Sequence, residues 1–153
     1  MSASPQAKSN TLSAFLSWGL PLIVLLVVAL GLACAGTYKF RLFHLPSGLS
    51  YQVLRVGKGP QPGPHDRVAV HYEGRLENGT IFDSSYARQQ PEVLSVDQVI
   101  PGWSQGLQQM QAGGKYRLLV PSALAYGPTG AGGVIPPNAN LVFDVELLAV
   151  QQR

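Results

Sequence analysis

Along the chain the pattern of apolar and polar positions changes once, and sharply. Residues Ala14 to Gly36 read AFLSWGLPLIVLLVVALGLACAG, 23 residues without a charge and densest from Leu22 to Leu32. A helix needs about 20 apolar residues to cross a hydrocarbon core, so the run predicts one N-terminal transmembrane helix. Beyond Gly48 the period becomes two. Leu49, Tyr51 and Val53 alternate with polar residues. Val68, Val70 and Tyr72 alternate with Ala69, His71 and Glu73, and Leu141, Phe143, Val145 and Leu147 with Val142, Asp144 and Glu146. This is the signature of half-buried strands. Ile81-Phe82 and Tyr116–Val120 read as strands too, and Val93–Val96 is a further candidate.

Breakers separate these runs. Gly57 to Pro64 interrupts the chain with Gly and Pro. Glu77-Asn78-Gly79-Thr80 predicts a hairpin, with positive φ at both Asn78 and Gly79. Pro101 can open a helix because its missing N–H falls in the first turn. Trp103, Leu107 and Met110 then share one face, and Gly113-Gly114 ends a helix of about 10 residues. Ser84–Pro91 and Tyr126–Asn140 read as loops. Many strands and one short helix predict an α+β fold, an antiparallel sheet with the helix on one face. The expected organisation is a disordered terminus at 1–13, the span at 14–36, a basic linker at 37–46 and a folded domain at 47–153. No internal repeat is visible.

Composition sharpens this division. Only 12% of residues are charged, against 46% hydrophobic. Outside the apolar run the hydrophobic share is about 40%, ordinary for a globular domain. Lys8, Lys39 and Arg41 flank the run with no acid beside them. From Leu45 onward eight bases face eight acids, so the net +3 belongs to the flanks. The domain is neutral, which leaves no basic patch for phosphates and excludes nucleic acid as a partner.

An uncleaved anchor is the favoured reading of the run. A cleaved signal has a shorter core and a charged start. A lipoprotein site at Cys34 would place Leu three residues earlier, where Gly31 stands. A buried core helix would have nothing to pack on. Charge counting puts the domain in the cytoplasm by a margin of one. Cys34 is the only cysteine, so the domain has neither disulfide nor thiol.

Most catalytic signatures fail. The glycines from Gly127 to Gly133 lack the Lys-Ser/Thr and the helix of a phosphate loop. His44, His65 and His71 have no metal-ligand spacing, so no metal and no cofactor is expected. Ser84, His71 and an acid could be written as a triad, yet no nucleophile elbow surrounds Ser84. What remains is a set of aromatics on distinct elements: Tyr72, Phe82, Trp103, Tyr126 and Phe143. They could simply be core. Tyr126 in a Gly-bounded loop and Asp83 directly after Phe82 favour instead an apolar pocket with a few placed polar groups.

These residues carry a resemblance. Val70-His71-Tyr72-Glu73-Gly74, Gly79 with Phe82-Asp83-Ser84-Ser85, and Val99-Ile100-Pro101-Gly102-Trp103 resemble FKBP-type peptidyl-prolyl isomerases. So do Leu124-Ala125-Tyr126-Gly127, Ile135-Pro136-Pro137-Asn138-Ala139 and Leu141 to Leu147. The blocks keep their order over Leu45–Gln151 and look most like bacterial members of the macrophage infectivity potentiator type. The resemblance implies a five- or six-stranded antiparallel half-barrel wrapped on a short helix. It implies a proline pocket in which Asp83, Tyr126 and Tyr72 are catalytic. Phe82, Arg88, Val99, Ile100, Trp103, Val134, Ile135 and Phe143 would bind substrate. One departure stands out: after Pro91 the family often carries an aromatic, and here Glu92 follows.

The same resemblance implies proline-containing polypeptide clients, binding of macrolide immunosuppressants, and a domain on the extracytoplasmic side of the cell membrane. The dimerising helical arm of some relatives has no counterpart, so a monomer is expected. X-Pro rotation faces a barrier of about 18–20 kcal/mol and breaks no bond, so it needs neither nucleophile nor metal. A dry aromatic pocket favours the twisted, less polar amide. Two other readings stay open: a non-catalytic module that docks proline segments, and a small hydrolase using Ser84.

Overall fold

The computed structural model describes residues 41–153. The expected disordered terminus, the transmembrane run at 14–36 and the first part of the linker lie outside them. Among the described residues no helix is long and apolar enough to cross a membrane.

Seven strands and one helix follow in order: β1 (Leu42–His44), β2 (Ser50–Arg55), β3 (Arg67–Leu76), β4 (Ile81–Ser84), β5 (Glu92–Ser95), α1 (Pro101–Leu107), β6 (Lys115–Val120) and β7 (Leu141–Gln151). They form one antiparallel sheet in the order β1-β2-β6-β7-β3-β4, with β5 also paired to β3. The α+β expectation holds, but the strands number seven rather than five or six. The additional strand β1 falls inside the expected linker. Three residues are too few to show a period of two, and β1 is held by its pairing to β2 and by Phe43 stacked on Tyr51 at 5.0 Å.

The alternating residues behave as their period requires. Leu141, Phe143, Val145 and Leu147 of β7 are buried, and so are Val68 and Val70 of β3 and Leu118 and Val120 of β6. Each such side chain contributes about 1.5–3 kcal/mol when fully buried. Trp103, Leu107 and Met110 cover them from the other side. Gly102 and Gly106, one helical turn apart, let α1 approach β6 closely. A Cβ at Gly102 would lie 2.3 Å from Val120, and one at Gly106 would lie 2.6 Å from Leu118.

The helix ends at Leu107, well before Gly113-Gly114. Beyond it the chain tightens, with Gln109 N–H donating to Gly106 O and Met110 N–H to Leu107 O, each at 3.0 Å. The Gln108 side chain also caps Ser104 O at 2.8 Å. Met110 still reaches the core because a tight turn returns it to the same face. The hairpin differs as well: Gly79 alone takes positive φ, at 89°, and Asn78 does not. Gly79 N–H donates to Leu76 O and Leu76 N–H to Thr80 O, both at 2.9 Å. This is the three-residue loop with a terminal left-handed glycine.

One edge of β3 is shared. β5 pairs with Arg67–Val70 and β4 with Glu73–Arg75, and residues 85–91 loop out between them. Ser85 seals the gap. Its Oγ accepts Tyr72 N–H at 2.8 Å, and its own N–H donates to Tyr72 O at 3.0 Å.

Candidate active site

A cavity of about 290 Å³ opens on the helix-bearing side of the sheet. Its walls come from four strands, the helix and the loops beside them. β3 supplies Tyr72, β4 Phe82 and Asp83, and β7 Phe143, while α1 supplies Trp103. Val99 and Ile100 enter from the stretch before α1 and Tyr126 from the loop after β6. Leu94 of β5 and Gln98 complete it, two residues that sequence reasoning missed. Val93 and Leu94 of β5 are adjacent apolar residues, and no alternation says which of them turns inward. Gln98 sits in a single 3₁₀ turn, Val96–Gln98, with no pattern to mark it.

Neighbouring aromatic rings meet at right angles. Tyr72 meets Trp103 edge-on at 5.0 Å, Trp103 meets Phe143 at 5.3 Å, and Phe82 meets Phe143 at 5.6 Å, each at 89°. Edge-to-face contact is the favoured arrangement of aromatic quadrupoles. Trp103 is 5% exposed and forms the floor. Gly74 makes the room: a Cβ there would fall 2.7 Å from Phe82 and 2.8 Å from Phe143.

One polar network borders this apolar surface. The Tyr72 hydroxyl donates to Asp83 Oδ2, and Arg88 Nη1 donates to Asp83 Oδ1. Arg88 Nη2 also reaches the Tyr72 hydroxyl at 3.1 Å and Glu92 Oε1 at 3.0 Å. Partial burial pushes the Asp83 carboxyl up, but the bonds from Tyr72 and Arg88 and the guanidinium charge prevail and hold it below the ordinary carboxylate range. Burial, aided by the bond to Asp83, pushes Tyr72 up to about 12. At neutral pH the pocket therefore holds a carboxylate and a neutral phenol. Tyr126 is 41% exposed, and its hydroxyl has no partner among the described residues.

Three expected site residues lie off the cavity wall. Arg88 sits at the rim and bonds Asp83 and Tyr72. Ile135 is buried in the core, where its backbone bridges to Ala131. Val134 is 58% exposed on the same loop and does not line the cavity. A side chain next to an inward-pointing one turns outward, which explains the pair.

The triad reading finds no support. His71 Nδ1 bonds Ser85 Oγ at 2.9 Å, not Ser84, and Ser85 is fully buried and already bound to the Tyr72 backbone. Among the described residues no cluster of His, Cys, Asp or Glu could hold a metal ion.

An antiparallel sheet carrying one helix, with a carboxylate beside perpendicular aromatics, defines the class. The chain belongs to the FKBP-type peptidyl-prolyl cis-trans isomerase family, whose model matches residues 59–148. Over 106 residues, 69% of its length, it is 54% identical to the FKBP-type peptidyl-prolyl cis-trans isomerase FkpA of Aeromonas hydrophila, of which it covers 39%. It is 49% identical to the peptidyl-prolyl cis-trans isomerase Mip of Coxiella burnetii, over 71% of this chain and 47% of that one. A solved peptidyl-prolyl cis-trans isomerase of Pseudomonas syringae pv. tomato superposes with a TM-score of 0.69 at 44% identity, covering 76% of this chain and 87% of the other. The chain spans only 38–50% of the length of such curated relatives.

Proposed function

We propose that this domain accelerates cis/trans rotation of X-Pro bonds in client polypeptides. The observation that carries the reading is the juxtaposition of an ionised Asp83 with perpendicular Tyr72, Trp103 and Phe143 rings around one cavity. The proline ring would rest on Trp103 between Phe82, Phe143, Val99 and Ile100. A seated proline would displace water from the aromatic surface, where the planar amide would lose more solvation than the twisted one. Tyr126 would donate its hydroxyl to a substrate carbonyl. Asp83, held by Tyr72 and Arg88, would face the twisting amide and offset the charge that develops as conjugation is lost. Ile135 would support the loop from behind and Val134 would touch clients at its tip.

Exchange spectroscopy on an X-Pro peptide tests this directly. Line broadening or exchange peaks between cis and trans forms are expected with the purified chain, and loss of them with Asp83→Ala. Binding without exchange would select a docking module instead. A macrolide that fills the same cavity should compete with the peptide.

The uncharged run 14–36 is proposed as a single membrane anchor, with the domain as a monomer on the extracytoplasmic side. Protease added to spheroplasts, if not already to intact cells, should then remove the domain. Protection in spheroplasts until the cytoplasmic membrane is opened would place it in the cytoplasm.

A further inference from the structure

Glu92 is the feature of the site that the isomerase reading leaves unused. Its position is fixed by register. Val68 pairs with Leu94 and Val70 with Glu92, and residues directly opposite in an antiparallel pair share a face. Val68 and Val70 are buried, so Leu94 and Glu92 belong to the helix-bearing face, and Leu94 lines the cavity. Glu92 stands two residues further along β5, about 7 Å away. It is at the mouth.

There it shares a cation. Arg88 bonds both Asp83 and Glu92, and neither carboxylate has another basic partner among the described ion pairs. The three side chains are 39%, 43% and 41% exposed, so all reach the solvent at the rim. Two carboxylates on one guanidinium leave the mouth with a net charge of −1. A neutral residue in place of Glu92 would leave it balanced. Residues flanking a bound proline must cross this rim, within the ~8 Å over which charge acts at physiological salt.

Taking the site as a proline pocket, we propose that Glu92 makes it selective for clients with a lysine or arginine adjacent to the proline, and selective against an acidic residue there. Exposed charge pairs discriminate only modestly, so the effect is a preference of about three- to fivefold. It acts on kcat/KM and vanishes with screening.

The test uses the full chain and two peptide sets that differ only in Lys, Ala or Glu, placed before the proline in one set and after it in the other. Exchange rates are compared at about 10 mM and about 1 M salt, where the Debye length is ~30 and ~3 Å. In at least one set Lys should exceed Glu by about threefold or more at low salt, with the gap closing at high salt. Glu92→Gln should bring the ratio toward one, and Glu92→Lys should invert it. Equal rates for Lys and Glu in both sets, or a ratio unchanged in both variants, overturn the proposal. The Ala peptides separate its failure from that of the isomerase reading: if they are accelerated while charge makes no difference, only the role of Glu92 is wrong. If no peptide is accelerated, both fall.

Discussion

Two aspartates on opposite faces of the sheet are held in similar ways and differ in what surrounds them. Asp83 is gripped by Arg88 and Tyr72, and Asp144 by Arg117 at 2.6 and 2.8 Å and by Arg75 at 3.2 Å. Burial raises both carboxyls, but the Tyr72 and Arg88 bonds on Asp83 and the Arg117 and Arg75 cations beside Asp144 outweigh it, so both sit below the usual range. Asp144 lies among cross-strand neighbours, Arg117 on β6 and Glu73 on β3, and its side chain is 12% exposed. Asp144 does not line the aromatic cavity. Asp83 is 39% exposed and opens onto the aromatic cavity. A depressed carboxyl is therefore no mark of function by itself. The cavity beside it makes the difference.

That contrast can be broken by substitution. The largest effect should come from the floor of the pocket. Trp103→Ala removes a 5% exposed side chain in contact with two aromatic rings and should cost about 3–5 kcal/mol in chemical denaturation, as well as catalysis. Asp144→Ala strips Arg117 and Arg75 of their shared carboxylate. Arg117 is 37% exposed, which reduces the penalty of a fully buried pair to about 2 kcal/mol. The folded fraction should still exchange X-Pro bonds at the normal rate. If it does not, the outer face is coupled to the site.

Asp83→Asn should do the opposite. Stability should change by about 1 kcal/mol or less, since the site is partly solvated. The kcat/KM for a proline peptide should fall about tenfold or more, the weight of a charged hydrogen bond lost at the reacting group. Equal losses of stability in the Asp83 and Asp144 variants would remove the distinction between them.

Acid gives the smallest and most specific effect. The folded pKa of Asp83 lies below its ordinary 3.8. Its bonds thus contribute fully above that unfolded value, and the contribution is lost as pH falls through the lower folded one. Tyr72 works at the other end. Raised to about 12, its neutral form is stabilised below its ordinary 10.0, and that stabilisation disappears as pH rises through the folded value. Activity should be flat through neutrality and decline only in strong acid. Asp83→Asn should remove the acid limb.

Most of the sheet was legible because β6 buries every second residue and the apolar residues of β3 and β7 alternate over most of their length, so a period of two survives in the sequence. Tyr72 and Phe143 of the site were legible for the same reason, being inward members of β3 and β7, while Trp103 was marked by the helical face it shares with Leu107 and Met110. The helix was overestimated: Met110 keeps the helical phase through a tight turn, and the apolar pattern cannot tell the two apart. The hairpin was found, but its turn carries a local bond in which Thr80 N–H donates to Asn78 Oδ1, which composition does not show. Ile135 faced the core because inward direction in a loop has no period. The sharing of Arg88 among Asp83, Tyr72 and Glu92 joins residues up to 20 positions apart, and only the pairing of β4 and β5 to a single strand brings them together.

The central claim is that Asp83 serves the pocket and Asp144 the sheet. The most direct measurement is exchange spectroscopy on one X-Pro peptide with the full chain, its Asp83→Asn variant and its Asp144→Ala variant, at equal folded concentration. Fast exchange is expected with the full chain and with Asp144→Ala, and a rate about tenfold or more lower with Asp83→Asn. Undiminished exchange with Asp83→Asn would contradict it.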